Sequence, residues 1–175
     1  SMVERFGLQN EPVPRTPMDA AKLMPRQDGE EGADGSLYRA TVGSLLWAAI
    51  TTRPDMSYTV KELSRHLTDP TPAHALAARR AILYLKGTRD WSLTFHRSAP
   101  GNEEVIGFTD ADWAGCLTTR KSTSGFAFMW QGAAVGWGCK QQSTVAHSSA
   151  EAEYVALSLA GRHAIWYRRF FEELT

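Results

Sequence analysis

Two aspartates stand two positions apart in the stretch FTDADWAG, residues 108–115. Side chains of a strand alternate between faces, so a strand here puts Ile106, Phe108, Asp110 and Asp112 on one side. An apolar run that ends in paired carboxylates is either a surface turn or an oxygen-rich metal site at the end of a buried strand. Magnesium takes oxygen ligands in octahedral geometry, from a few carboxylates completed by waters and phosphates. Two such ions about 4 Å apart activate a water and stabilise the leaving oxygen of a phosphodiester. Further carboxylates come from SSAEAEY, residues 148–154, where Glu151 and Glu153 fall in the first turns of a helix. Ser148 and Glu151 match a capping box, and an acid near a helix N-terminus is favourable with no metal present. Spacing alone leaves the capping and metal readings both open.

The elements that must position these acids are legible from periodicity. Residues 1–36 carry Pro12, Pro14, Pro17 and Pro25 and a Gly- and Asp-rich run, which reads as an extended arm and mobile loop. Residues 37–90 read as a helical segment. Val42, Leu45, Leu46 and Ala49 have helical spacing, as do Met56, Val60, Leu63 and Leu67. A third helix has Thr71 as cap, Pro72 at its first position and Gly87 at its exit. Its stripe is Ala75, Ala78, Ile82 and Leu85, with Arg79, Arg80 and Lys86 on a solvated basic face. From residue 91 to 175 the period shortens. Trp91–His96 is β-like, Val105–Asp112 is a strand, and Ser124–Trp130 alternates with Phe126, Phe128 and Trp130 on one face. Gln131-Gly132 predicts a tight turn into Ala133–Cys139. A long helix follows, with Ala152, Val155, Ala156, Leu159, Trp166 and Phe170 as its apolar stripe.

Composition narrows the function classes. The 175 residues are 43% hydrophobic, with 19 basic and 19 acidic side chains. A balanced charge provides no global field toward nucleic acid or anionic membrane, so any nucleic-acid surface is a local patch. No apolar run approaches the ~20 residues of a membrane span, and no secretory signal is evident. Cys116 and Cys139 lack metal-type spacing and read as free thiols.

FTDADWAGCLTTRKSTSGFAFMWQGAAVGWGCKQQSTVAHSSAEAEYVALS resembles the ribonuclease H region of copia-type retrotransposon polyproteins. The matching motifs are Asp110 to Gly115, Arg120 to Gly125, Trp137 with Lys140-Gln141, Glu151 to Tyr154, and Trp166 with Arg168-Arg169. Upstream, YRATVGSLLWAAITTRPDMSYTVKELSRHL and AARRAILYLKGTRDWSL resemble the segment joining the polymerase palm to the nuclease in those polyproteins, and PVPRTPMD resembles the end of the palm.

The resemblance implies a mixed α+β or α/β chain: a ribonuclease H-like partial fold, with a three-stranded antiparallel meander plus helix, preceded by a helical connection segment. It implies magnesium-dependent hydrolysis of the RNA strand of RNA–DNA hybrids. Matched residue by residue, the first catalytic and metal-binding acid is Asp110 and the second is Glu153. Asp112 is the runner-up for the first place, and Glu151 is left as capping partner. Two further acids of the family lie after this helix, so catalysis by this chain alone is expected to be incomplete. Arg120, Lys121 and Lys140 are the candidate contacts to phosphates of the hybrid. Trp113 is expected under the first strand, His147 in a solvent-facing loop, and Arg168 and Arg169 at the helix C-terminal end. A bare strand edge implies a homo-oligomer, and no membrane partner is expected. An intracellular location follows for the parent element, in a cytoplasmic particle or the nucleus. The alternative is a non-enzymatic binding protein of effector type, retained by a host from a truncated element copy.

Overall fold

The computed structural model describes residues 2–19, 23–97 and 104–174. The chain divides into two compact units, Ser1–Ser92 and Leu93–Thr175.

The first unit is helical: α1 (Met2–Arg5), α2 (Gly35–Thr51), α3 (Ser57–Ser64) and α4 (Pro72–Gly87), with a 3₁₀ turn over Pro54–Met56. Asp34 caps α2 by accepting from the Ser36 and Leu37 amides, which satisfies two of its orphan donors. The core gathers Leu8, Val42, Leu45, Met56, Val60, Leu63 and Ile82, all buried. Leu46, placed in the apolar stripe of α2, is instead largely exposed. The proposed start and end of α4 hold: Thr71 is its N-cap and Pro72 opens it.

Two readings of this unit change. The basic side chains of α4 are not a solvated face. Arg79 pairs with Glu11 at 2.9 Å and Arg80 with Asp19 at 3.0 Å. Lys86 Nζ donates to the carbonyls of Leu8, Gln9 and Glu11. These contacts tie the proline-rich segment along the helix, and the fully buried Leu8 anchors it. His74 also replaces Ala75 at the head of the buried stripe. Its Nδ1 accepts from the Thr71 amide at 2.8 Å, and its Nε2 lies 2.9 Å from the Met24 carbonyl. Each ring nitrogen therefore has a partner that suits a neutral imidazole.

A buried ion pair joins the helices. Arg53 grips both oxygens of Asp55, at 3.0 and 2.7 Å, and donates to the carbonyl and hydroxyl of Thr88. Tyr84 completes the network with an O–H···O bond of 2.7 Å to Asp55. A bidentate, fully hydrogen-bonded guanidinium is the arrangement in which a buried charge is tolerated.

The second unit is an antiparallel sheet in the order β1 (Ile106–Asp112), β2 (Thr123–Trp130), β3 (Ala133–Gln141), followed by α5 (Ser149–Leu174). The chain is thus α+β, with helices ahead of a meander and its helix, as expected of a partial ribonuclease H-like fold. Gln131 and Gly132 both have positive φ, +55° and +84°, the signature of a two-residue type I′ hairpin turn. Among the described residues Trp91–His96 forms no strand. The His96 amide donates to the Gln131 carbonyl at 2.8 Å and Phe95 leans on Trp130, so these two residues lie against the hairpin turn. β1 therefore pairs on one side only among the described residues.

Acid tests the histidine pair of the first unit. His66 is 6% exposed and stacks on His74 with ring centroids 3.9 Å apart. Burial, with His74 and Arg65 alongside, pushes its pKa from 6.5 down to about 4, and burial lowers His74 too. The unfolded chain binds these protons first. Stability is full above pH 6.5 and is lost as pH falls toward 4, by on the order of 3 kcal/mol for His66. Asp55 and Glu62 lie below the usual carboxylate range, so their losses come at lower pH. Urea titration between pH 7 and about 4 should show this slope, and His66→Phe, which keeps the stacking, should remove most of it.

Candidate functional site

The antiparallel register brings the end of β1, the start of β2 and the end of β3 together, with Asp112 opposite Thr123 and Thr123 opposite Gln141. α5 packs across β1 and β2. Its docking is fixed by an aromatic ladder: His163 stacks on Phe126 at 4.3 Å, Tyr167 tilts against Phe128 at 4.9 Å and Phe171 against Trp130 at 5.1 Å. Residues four apart on a helix meet alternate residues of a strand because each set lines one face. Ahead of the ladder, Ala152, Ala156 and Ala160 are buried against the sheet. Trp166 and Phe170 fall on the neighbouring face, exposed and stacked on each other at 5.2 Å. The expected stripe is thus rotated: small alanines and the rings of His163, Tyr167 and Phe171 meet the sheet, and Trp166 and Phe170 do not.

β1 turns Thr109 and Ala111 inward, while Ile106, Phe108, Asp110 and Asp112 share the outward face. The one-sided grouping holds. That face is not buried, however: Ile106 is 49% and Phe108 59% exposed. With α5 on the other side, nothing in this unit's described residues covers it.

The four acids separate by what they touch. The Asp112 carboxylate folds back over Gly115, so closely that a Cβ there would collide with its Oδ2. Asp112 thereby closes the turn after β1, where Ala114 takes a positive φ of 50°. Glu151 accepts from the His147 amide at 2.7 Å, and its own amide donates to Ser148 Oγ at 3.1 Å. This is a capping box shifted by one donor. Asp110 is exposed and has no hydrogen-bond or ion-pair partner among the described residues. Glu153 reaches β1: its Oε1 lies 3.4 Å from the nitrogen of the peptide joining Asp110 to Ala111. This contact is to the backbone alone: the Asp110 side chain lies on the outward face of β1, away from α5, so the structure does not bring the two carboxylates together.

The basic candidates lie at the same end of the sheet. Arg120 and Lys121 belong to the β1–β2 connection, Arg120 with φ of 56°. Cys116 braces this loop, its Sγ accepting from the amide and hydroxyl of Thr119 at 3.3 and 2.9 Å. The buried Ser122 Oγ accepts from the Ala114 amide. Lys140 is exposed near the end of β3, opposite Ser124. Trp113 donates its indole N–H to the Ala146 carbonyl at 3.1 Å and remains half exposed, so it ties two loops together rather than lying buried under β1. Both cysteines are free thiols.

Periodicity does not reveal Gln142. It is buried beyond the end of β3, and its Nε2 donates to Ser124 Oγ at 3.0 Å and to the Ala152 carbonyl at 2.9 Å. A polar residue in a Lys-Gln-Gln run carries no sequence signal of burial. Among the described residues, no group of three or more His, Cys, Asp or Glu is arranged to hold a metal ion. No helix among them is long and apolar enough to cross a membrane.

Known proteins are similar to this sequence. The chain is 43% identical to the secreted RxLR effector protein 161 of Plasmopara viticola, over 74% of the chain and 89% of that protein. It is 37% identical to the retrovirus-related Pol polyprotein from transposon TNT 1-94 of Nicotiana tabacum, over 99% of the chain. The corresponding polyprotein from transposon RE2 of Arabidopsis thaliana is 34% identical over 91% of the chain. No protein-family model and no solved structure matches significantly. A meander with its helix and the shared sequence together define a segment of a retrotransposon polyprotein. The chain belongs to the copia-type retrotransposon Pol family. It spans 13% of the tobacco polyprotein and 11% of the Arabidopsis one. The effector alternative is not favoured, since polyprotein relatives match nearly the whole chain.

The division among acids is testable on stability alone. Glu151→Ala removes a capping acceptor and should cost about 1 kcal/mol. Glu153→Gln, which loses only a long contact, should stay within about 0.5 kcal/mol of the parent. Urea denaturation followed by circular dichroism measures both.

Proposed function

We propose that this chain supplies the first strand and first helix of a ribonuclease H-type nuclease centre within a copia-type polyprotein, acting on the RNA strand of RNA–DNA hybrids. The observation that supports the reading is that Glu153 reaches the Ala111 amide, next to Asp110 at the end of β1; the Asp110 carboxylate starts on the other face of the strand, so joint metal binding requires it to turn about the strand end. In this reading Asp110 and Glu153 hold magnesium together with phosphate oxygens and water, a ligand set that suits the ion. The bound ion would polarise the phosphodiester. Asp110, free of protein partners among the described residues, is available to it, and Glu153 needs only to exchange a long amide contact. Arg120, Lys121 and Lys140, at the same end of the sheet, would meet the phosphates of the hybrid, where basic side chains provide most of the affinity.

Two carboxylates hold an ion loosely, and catalysis needs ligands fixed to within about 0.5 Å. Cleavage of a labelled hybrid is therefore expected from the chain within its full polyprotein reading frame, and not from residues 1–175 in isolation. In the full-frame protein Asp110→Asn and Glu153→Gln should each lower the rate at least about a hundredfold, since the ion's contribution is several kcal/mol. Hybrid affinity should change little, because phosphate contacts carry binding. Normal cleavage by Glu153→Gln with loss in Glu151→Gln would move the second acid by half a turn. Strong cleavage by the isolated chain that Asp110→Asn abolishes would show that a different ligand set suffices.

We also propose self-association through β1. The strand has one ladder partner among the described residues and exposes Ile106 and Phe108, and an apolar open edge is a template for pairing with another chain. Light scattering at micromolar concentration should show a species of twice the 19.4 kDa chain mass, which Phe108→Lys should shift to monomer. A monomer at every concentration would reject the proposal.

A further inference from the structure

Glu153 stands on a helix whose first turns meet the sheet through small side chains. Ala152, Ala156 and Ala160 present little relief to hold the helix in register. The aromatic ladder begins only at His163. From Glu153 to His163 is ten residues, or roughly 15 Å at 1.5 Å per residue. Something nearer must fix the start of α5.

The Gln142 side chain does so with one group. Its amino nitrogen carries two protons, and both are used: Nε2 donates to Ser124 Oγ at 3.0 Å and to the Ala152 carbonyl at 2.9 Å. A carbonyl oxygen only accepts, so the amino nitrogen, and not Oε1, must face Ala152. That carbonyl belongs to the same peptide as the Glu153 amide. Ser124 is the cross-strand neighbour of Ala111, and the Ala111 amide is the group that Glu153 Oε1 meets at 3.4 Å. The contacts close a ring: Ala111 to Ser124 through the ladder, Ser124 to Ala152 through Gln142, and Glu153 back to Ala111. The main chain of Gln142 is held as well, its amide donating to the Ser122 carbonyl at 2.9 Å. Gln142 and Ser124 are both buried, so water competes little for these bonds.

We propose that Gln142 is a positioning residue for Glu153: by gripping the peptide ahead of it, the buried amide sets where the helix carboxylate stands against β1. The consequence for turnover rests on the nuclease reading, in which ligands must be fixed to within about 0.5 Å. The placement itself concerns this chain alone. No shorter or apolar side chain makes both bonds. Asparagine lacks a methylene of reach, methionine keeps the volume without a donor, and glutamate turns an acceptor toward the carbonyl.

The Ala111 amide resonance reads the placement in the full chain, without metal or substrate. Glu153→Gln should shift it in the parent. In a Gln142→Met background the resonance should already be displaced, and adding Glu153→Gln should move it little further, because members of one hydrogen-bond network are coupled. Tyr167→Phe keeps its ring but cuts another tie of α5 to the sheet, the bond to the Val135 carbonyl. It should leave the Ala111 response as in the parent, whereas mere loosening of the helix would weaken that response in both variants. The parent also reports directly, with no variant that has to fold. The Gln142 side-chain protons should exchange with solvent at least about tenfold more slowly than those of the exposed Gln27, as buried hydrogen-bonded groups do. In the full-frame protein Gln142→Met should lower kcat for hybrid cleavage roughly a hundredfold, the scale of a misplacement of about 1 Å. KM should stay within about twofold, because phosphate contacts carry binding. Tyr167→Phe should cleave at the parent rate.

A parent-like response of Ala111 to Glu153→Gln in the Gln142→Met background overturns the proposal. So does exchange at Gln142 as fast as at Gln27, and so does parent-like kcat in Gln142→Met. Failure of the full-frame parent to cleave a hybrid overturns the nuclease reading instead, and the resonance and exchange results then decide the placement of Glu153 by themselves.

Discussion

The second unit depends on where one buried amide sends its protons. Gln142 Nε2 donates to Ser124 Oγ in β2 and to the Ala152 carbonyl in the first turn of α5. Its own backbone amide donates to the Ser122 carbonyl. One residue therefore joins the end of the meander, the strand that carries the aromatic face and the start of the helix. The buried Ala152 lets the helix backbone come close to the sheet, and the next residue, Glu153, is carried to the β1 backbone. A larger side chain at 152 would lift the helix and its carboxylate away, since close-packed interiors absorb little added volume.

The aromatic ladder sets the rotation of the helix, as Gln142 sets its position. Glycines opposite Phe126 and Phe128 make the close approach possible. A Cβ on Gly136 would collide with Tyr167 Oη, and one on Gly138 would meet a Phe126 ring carbon at 2.7 Å. Tyr167 also donates to the Val135 carbonyl at 3.1 Å. The pairings of His163, Tyr167 and Phe171 with β2 leave Trp166 and Phe170 no place on the sheet. They stack on each other outside, where aromatic pairs still gain from offset contact.

Much of this arrangement was legible in the sequence, and the exceptions share a cause. Alternation gave β1, β2 and β3 nearly to the residue, and Gln131-Gly132 gave the turn. Thr71-Pro72 gave the start of α4, and Ser148 with Glu151 gave the start of α5. Hydropathy failed where a residue's size or ring face mattered more than its polarity. The helix face that meets the sheet is built of alanines, His163, Tyr167 and Phe171, while Trp166 and Phe170 lie outside it. It failed again at Trp91–His96, whose composition suits a strand but which forms none among the described residues; the His96 amide bonds to the hairpin turn instead. In the first unit, Arg79, Arg80 and Lys86 looked solvent-facing because their partners lie more than sixty residues away in the proline-rich segment. No local pattern encodes such contacts.

The acids follow a rule that composition alone does not reveal. The chain carries Asp-Ala-Asp at 110–112 and Glu-Ala-Glu at 151–153, and the structure divides both pairs in the same way. In each, one carboxylate serves the backbone: Asp112 lies over the turn at Gly115, and Glu151 caps the helix. The other member is left with no strong partner: Asp110 has none among the described residues, and Glu153 has one long contact. Glu151 caps the helix turn from which Glu153 projects, and Asp112 lies close over Gly115 at the end of the strand that carries Asp110. Glu153 reaches the peptide between Asp110 and Ala111 from the helix side, while Asp110 projects from the other face of the strand. A surface turn needs only one acid and a helix cap needs only one. Among the described residues the second acid of each pair takes no part in a turn or a cap, Asp110 having no partner and Glu153 one long contact.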